Sequence, residues 1–315
     1  MADPCSSKWI HPAVILVATD LGDLDRLMPF ALEQASQSGA RLILLHAVAS
    51  SATMSVDAVG LPYYDTSGAL DIAEKALRPW CATAQNQGVD CHAIVREGNA
   101  TQQIAAAARQ FKAGRILLGT RSRGRLGKML LGSVAEQVLR SVNLPVFTVG
   151  PEAHLPVQSG YEERVVLHAT TLRETSRPSA ALACELAAQL NAKLLLLHVL
   201  PPAEQMIHEG EVSDFEAAAD RQLKTLAAET AAGSEPEIET IVLHGNPFIE
   251  ILAEAAARRA SLIVLGATHR SAFDNLTRDR TVYRVLAHAR CPVLTLREAQ
   301  LVNEASTEHL AASRS

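Results

Sequence analysis

The chain repeats itself, and that constrains its fold more than any single motif. Gly98-Asn99 in REGNATQQIAAAAR returns as Gly245-Asn246 in LHGNPFIEILAEAAAR, Gly119 of RILLGTR as Gly266 of LIVLGAT, and Pro145 of NLPVFTV as Pro292 of RCPVLTL, each 147 residues later. Upstream, ARLILLHAV (Ala40 to Val48) matches AKLLLLHVL (Ala192 to Leu200), and VILVATD (Val14 to Asp20) loosely matches RVVLHATT (Arg164 to Thr171) at a slightly larger offset. Self-similarity at a fixed period means one supersecondary unit used twice, here a unit of roughly 140–150 residues, the size of an ordinary domain. A chain of 315 residues accommodates two of them. The Pro/Gly/Ser-containing stretch PEAHLPVQSG (Pro151 to Gly160) reads as the linker. The expected domains are 1–152 and 153–300, with 301–315 as a flexible tail.

Within the first copy, short apolar runs alternate with helical patterns. Strands are expected at Ala13–Ala18, Leu42–Val48, Cys91–Arg96, Arg115–Gly119 and Pro145–Val149, and helices near Leu24–Ser38, Ala69–Gln87, Thr101–Lys112 and Ser133–Val142. Strands that are continuously apolar belong to a parallel sheet covered on both faces, and strand–helix alternation implies right-handed crossovers. The fold class is therefore α/β: two tandem doubly wound, Rossmann-like domains, each expected to hold a five-stranded parallel sheet. Such sheets bind ligands beyond the carboxyl ends of the strands, where strand order reverses.

Composition narrows the function. With 48% apolar and 20% charged residues the chain is globular rather than disordered. Its longest apolar runs, such as Ala13 to Ala18 and Leu194 to Leu197, fall far short of a membrane span, and Met1-Ala2-Asp3-Pro4 carries an acid where a secretory signal has bases. Five scattered cysteines (Cys5, Cys81, Cys91, Cys184, Cys291) make neither a disulfide framework nor a Cys-x-x-Cys knuckle, which suits a reducing cytoplasm. A formal charge of −5 gives no general footprint for nucleic acid.

The fourth strand leads into LLGTRSRGRLGKMLLGS, with Gly119 at the turn, Arg121, Arg123, Arg125 and Lys128 in the loop, and Gly132-Ser133 at the next helix start. A glycine-rich loop running into a helix offers unpaired N–H groups and the positive dipole end to an anion. The loop is neither a Walker A motif nor a Gly-x-Gly-x-x-Gly turn. Its spacing, together with VATD closing strand one, LLHAV on strand two and LPVFTV on strand five, resembles the universal stress protein family, twice over and across nearly the whole chain.

That resemblance implies an adenine-nucleotide-binding domain with ATP, carrying Mg²⁺, across the strand ends. Asp20 would hold the ribose or adenine edge, Ala18, Thr19 and Ala47 would line the base, and Gly98 would lie near the strand-three turn. Gly119, Arg121, Gly132 and Ser133 would cradle the phosphates, with Leu118, Ser122 and Val134 in the same stretch. Ser122 departs from the motif's second glycine, and at a position of positive φ a serine costs about 1 kcal/mol or more. The resemblance further implies pairing through the fifth strands, Phe147 on one side and Leu294 on the other, so that the halves form an internal pseudo-dimer; a homodimer of chains stays open.

Purely structural roles compete at each of these positions. Ser133 followed by Glu136 has the spacing of a capping box. Asp20 can cap the helix that begins near Leu24. The basic loop can be a solvated surface. In the second half Gly266 survives, but His269, Asp279 and Arg280 replace the second glycine, the third glycine and the serine, and Thr171 or Leu172 stands for Asp20. A carboxylate about 5 Å from a phosphate charge costs on the order of 3 kcal/mol at an effective dielectric of 20. ATP is therefore expected in the first half only, with the second kept as a structural or regulatory partner. Near strand ends, His46, His198, His168, His244 and His269 lack metal-ligand spacing, and a Mg²⁺ on the triphosphate needs only one or two protein ligands.

No Ser/His/Asp order, paired carboxylates or water-positioning residue marks a dedicated catalyst. The leading expectation is a cytoplasmic nucleotide-binding stress-response protein that contacts neither nucleic acid nor membrane. The alternatives are an ATP-independent interaction module, if Ser122 disables the cradle, and a slow ATPase.

Overall fold

The computed structural model describes residues 9–49, 54–56, 62–64, 67–120, 131–153, 163–202, 209–231, 236–267 and 280–297. They form two compact units, one of residues 11–119 with 132–142, the other chiefly of residues from 143 onward.

In the first unit the chain runs β1 (Val14–Thr19), α1 (Leu24–Ser38), β2 (Arg41–Val48), a small antiparallel hairpin of β3 (Met54–Val56) and β4 (Pro62–Tyr64), α2 (Ser67–Asn86), β5 (Cys91–Glu97), α3 (Ala100–Gln110), β6 (Arg115–Gly119) and α4 (Ser133–Ser141). The main sheet runs β6-β1-β2-β5, with every pairing parallel. All of β1 is buried, and Leu42 to Leu45 of β2 are at most 1% exposed, as a strand covered on both faces requires. α1 packs through Leu24, Leu27, Met28, Ala31 and Ala35, recurring at helical spacing, and stops at Gly39, whose φ of 67° accommodates the left-handed cap. Arg115 is buried on β6 and donates to Gln34 Oε1 of α1 at 2.7 Å; burial draws its pKa down to about 10.

The second unit contains β7 (Val146–Val149), β8 (Arg164–Ala169), a 3₁₀ turn (Glu174–Ser176), α5 (Arg177–Gln189), β9 (Ala192–Leu200), α6 (Glu209–Thr230), β10 (Ile238–His244), α7 (Pro247–Ala257), β11 (Leu262–Ala267), α8 (Arg280–His288) and β12 (Val293–Arg297). Its strands are ordered β10-β9-β8-β11-β12-β7. All are parallel except β7, which pairs antiparallel with β12 and sets Phe147 opposite Leu294. Both side chains are buried, and Thr148 Oγ1 donates to the Val293 carbonyl at 3.2 Å. The last strand of the first sequence repeat thus belongs to the compact unit that holds the second. Covering these apolar strands removes edges that would otherwise invite aggregation.

The structure agrees with the expected strands and helices of the first repeat to within about two residues, the margin by which element ends normally vary. The β3–β4 hairpin was not anticipated. Most of the linker, the basic loop and the tail after Arg297 lie outside the described residues.

Candidate functional site

Because β6, β1, β2 and β5 are parallel, their carboxyl ends share one edge. Strand order reverses between β1 and β6, where Ala18 lies opposite Leu118. Just past β1, Leu21 adopts φ 73° and its N–H donates to Thr19 Oγ1 at 2.9 Å, a turn built by the threonine side chain. His46 on β2 bonds the Thr19 carbonyl through Nδ1 at 2.9 Å, so that nitrogen carries the proton. The Asp20 carboxylate is at the surface, and its Oδ1 accepts the Gly22 N–H at 3.0 Å. Ala18, Thr19 and Leu118 are buried, whereas Ala47 is half-buried.

Sequence reasoning missed Asp23. It occupies the N-cap position of α1, with its carbonyl accepting from Arg26 and Leu27, but its carboxylate does not cap the helix. Instead Thr19 Oγ1 donates to Asp23 Oδ1 at 2.5 Å in a buried contact. Burial pushes the Asp23 carboxyl above its ordinary pKa, and the Thr19 bond opposes that shift. A Cβ on Gly119 would lie 2.1 Å from Asp23 Oδ2 and 3.3 Å from its Cβ. Gly119 is therefore a glycine because the Asp23 carboxylate fills the space beside it. The spacing of Thr19 and Asp23, four apart across a strand-to-helix turn, is the sequence signal that could have found the pair. Neither Asp20 nor Asp23 caps α1 with its side chain, which corrects the capping alternative for Asp20.

At the end of β5, Gly98 has φ 125° and donates to the Val48 carbonyl at 2.8 Å, while Asn99 caps α3 by accepting from Gln102 N at 3.1 Å. Gly245 (φ 145°) and Asn246, which accepts from Phe248 N at 3.1 Å, do the same before α7. The Gly-Asn pair thus has a backbone reason in both repeats: positive φ followed by a helix cap.

The start of α4 corrects a second expectation. Gly132, at φ −62° and ψ 143°, is the N-cap, so Ser133 is the first helical residue and no capping box forms. Glu136 N–H bonds the Gly132 carbonyl at 2.9 Å, while the Glu136 carboxylate pairs with Arg140 at 2.8 Å. Among the described residues no side chain caps this end; Ser133 is exposed and Val134 is 39% exposed. Thr101 near the start of α3 donates to Gln137 Oε1 in the middle of α4 at 3.0 Å, tying the two helices together. Arg121, Ser122, Arg123, Arg125 and Lys128 lie outside the described residues.

The second repeat shows which features are scaffold. Thr170 Oγ1 accepts from Leu172 N at 3.1 Å, Leu172 has φ 57°, and His198 Nδ1 bonds the Thr170 carbonyl at 2.8 Å. Thr171 therefore stands where Asp20 does, and its hydroxyl bonds Ser176 Oγ at 3.0 Å. The same register sets Glu174, exposed, against the buried Asp23, and His168 against Val17. His168 is fully buried with Nδ1 on the Val264 carbonyl at 3.0 Å; desolvation draws its pKa down to about 4. His46, His168 and His198 are all held by backbone carbonyls, and among the described residues no three His, Cys, Asp or Glu gather as a metal site. His269, Arg278 and Asp279 lie outside the described residues, as does the side chain of Arg280.

The repeated strand–turn–helix geometry defines a tandem doubly wound α/β protein. The family model described as "Universal stress protein family" matches residues 13–150 and again residues 163–297, and the chain belongs to that family. A universal stress protein of Mycolicibacterium smegmatis is 26% identical over 302 residues, spanning 90% of this chain and 96% of that one. Among solved structures, a universal stress protein from Archaeoglobus fulgidus DSM 4304 superposes with a TM-score of 0.68 at 20% identity, covering 91% of this chain and 99% of its own. A functionally unknown protein from Pseudomonas aeruginosa PAO1 gives 0.64 at 19% identity, covering 98% and 99%. These two establish likeness of fold. Among the described residues no helix is long and apolar enough to cross a membrane.

Proposed function

We propose that the first repeat, within residues 1–152, binds an adenine nucleotide, ATP with Mg²⁺, and that the second repeat, residues 153–300, serves as its structural or regulatory partner. The observation that carries this reading is the difference left when the scaffold common to both repeats is subtracted. The threonine turn, the strand-two histidine and the Gly-Asn helix entry occur twice. The surface carboxylate of Asp20 beside the β1–β6 switch occurs once, with Thr171 as its counterpart.

In this reading the Asp20 carboxylate accepts hydrogen bonds from ribose hydroxyls. The N–H groups at the start of α4, which no side chain caps among the described residues, receive the phosphates with Ser133 and the cations of residues 121–128. Mg²⁺ held with the nucleotide would supply charge neutralisation on the phosphates. Hydrolysis in this reading is slow and incidental: among the described residues none is placed to orient an attacking water. A second reading, an ATP-independent interaction module in the cytoplasm, is favoured by Asp23: an acid group already fills the space beside Gly119, close to where phosphates would arrive.

Calorimetric titration with MgATP tests the choice. Loss of a hydrogen bond to a charged group is worth about 1.5–3 kcal/mol, so Asp20→Ala weakens binding roughly 10- to 150-fold. Thr171→Ala leaves binding unchanged. Absence of binding by the wild-type protein, or equal affinity in Asp20→Ala, overturns the proposal.

A further inference from the structure

Away from the strand ends, Cys81 of α2 and Cys91 at the start of β5 face each other with sulfurs 2.8 Å apart. They are 8% and 2% exposed. Two sulfurs in ordinary van der Waals contact lie farther apart than this, while a disulfide needs about 2.05 Å, so a movement of less than about 1 Å separates this pair from a bond. The backbone around them is fixed independently of the sulfurs. Gln85 Nε2 donates to the Cys91 carbonyl at 3.1 Å, the turn between them closes through Val89 N–H on the Ala84 carbonyl at 3.0 Å with Gly88 at φ 80°, and Cys91 pairs with Leu42 in the sheet. Cys184 and Cys291 are buried elsewhere in the fold and, among the described residues, belong to no disulfide.

We propose that Cys81 and Cys91 form a peroxide-reactive dithiol that closes reversibly to an intradomain disulfide. Small hydroperoxides are the oxidant class that fits, because the thiols are nearly covered and a bulky disulfide reagent has little access. The Cys81 thiolate attacks one peroxide oxygen and breaks the O–O bond, giving a sulfenic acid and, after proton uptake, water. The Cys91 sulfur then attacks Cys81; the S–O bond breaks, and hydroxide leaves with the Cys91 proton as a second water. Two thiols and one hydrogen peroxide thus yield one disulfide and two waters. The hydrogen bond between the sulfurs favours this order: donation from Cys91 holds the Cys81 thiol below its ordinary pKa and raises that of Cys91. The bond would fasten α2 to the start of β5, away from the carboxyl edge, so it stands apart from nucleotide binding.

The full-length native protein is treated with a small excess of hydrogen peroxide, quenched with iodoacetamide under denaturing conditions and mapped by mass spectrometry. The expected product is a Cys81–Cys91 cross-linked peptide, with a loss of two mass units, both alkylatable thiols consumed together, and full recovery on reduction with dithiothreitol. The Cys91→Ser variant is expected to stop at Cys81 sulfenic acid, trapped by dimedone. Recovery of Cys81 and Cys91 both carrying the alkyl group, in peptides from peroxide-treated wild type, overturns the proposal. So does a cross-link of either one to Cys5, Cys184 or Cys291.

Discussion

Gly119→Ala probes the least expected contact of the strand-end edge. Its φ lies outside the left-handed region, so alanine brings no backbone strain, and the whole effect comes from the added methyl group. That methyl meets Asp23 Oδ2 at 2.1 Å and Cγ at 3.0 Å, in a position where the carboxylate is buried and bound to Thr19. The carboxylate has to move. Overpacking costs about 1–3 kcal/mol, and loss of a buried hydrogen bond to a charged or polar group adds a comparable amount, so the variant loses about 2–4 kcal/mol of stability without any ligand. In Asp23→Ala the space is vacated, and the second methyl enters it freely. The double variant is therefore more stable than the sum of the singles by about 1–3 kcal/mol. Urea unfolding of the four proteins, followed by circular dichroism, measures the cycle. A Gly119→Ala variant of wild-type stability, or additivity within about 0.5 kcal/mol, refutes the reasoning and returns Gly119 to a role in phosphate approach alone.

Two further outcomes follow from the same geometry. His168 has a pKa of about 4 in the fold against 6.5 when free, so between those values the unfolded chain binds more protons and stability falls as pH drops. The loss reaches about 2 kcal/mol between pH 7 and pH 5, and His168→Val, which installs the residue of the first repeat, flattens that part of the profile; parallel wild-type and variant profiles in urea midpoints contradict it. Asn99→Ala removes the α3 cap and lowers stability by about 1 kcal/mol, whereas Asn99→Gly loses only a few tenths; equal thermal shifts for the two would contradict a capping role.

The repeat, the parallel strands and most helix bounds were legible in the chain because they rest on local patterns: continuous apolar runs, helical spacing, and Gly or Pro at the turns. The pairing of Phe147 with Leu294 was reached through family resemblance. The role of Asp23 was not legible. Its contact with Gly119 joins residues 96 positions apart in the sequence, and the four-residue spacing to Thr19, the one local signal of the pair, is equally that of an acid at a helix start. Ser133 shows the opposite failure. Its spacing to Glu136 fits a capping box, but helix entry one residue earlier, at Gly132, moves the serine inside the helix and leaves Glu136 to Arg140. The ambiguity between Thr171 and Leu172 disappears once the threonine-built turn is seen twice, with Leu21 and Leu172 both at positive φ.

The central claim is that one repeat binds nucleotide and the other does not. Equilibrium dialysis of nucleotide-stripped protein against ATP with Mg²⁺, read as sites per chain, tests it directly. The account predicts one site, removed by Asp20→Ala. Two sites would show that the second repeat binds despite Thr171, and no site would contradict the nucleotide reading and favour an ATP-independent interaction module.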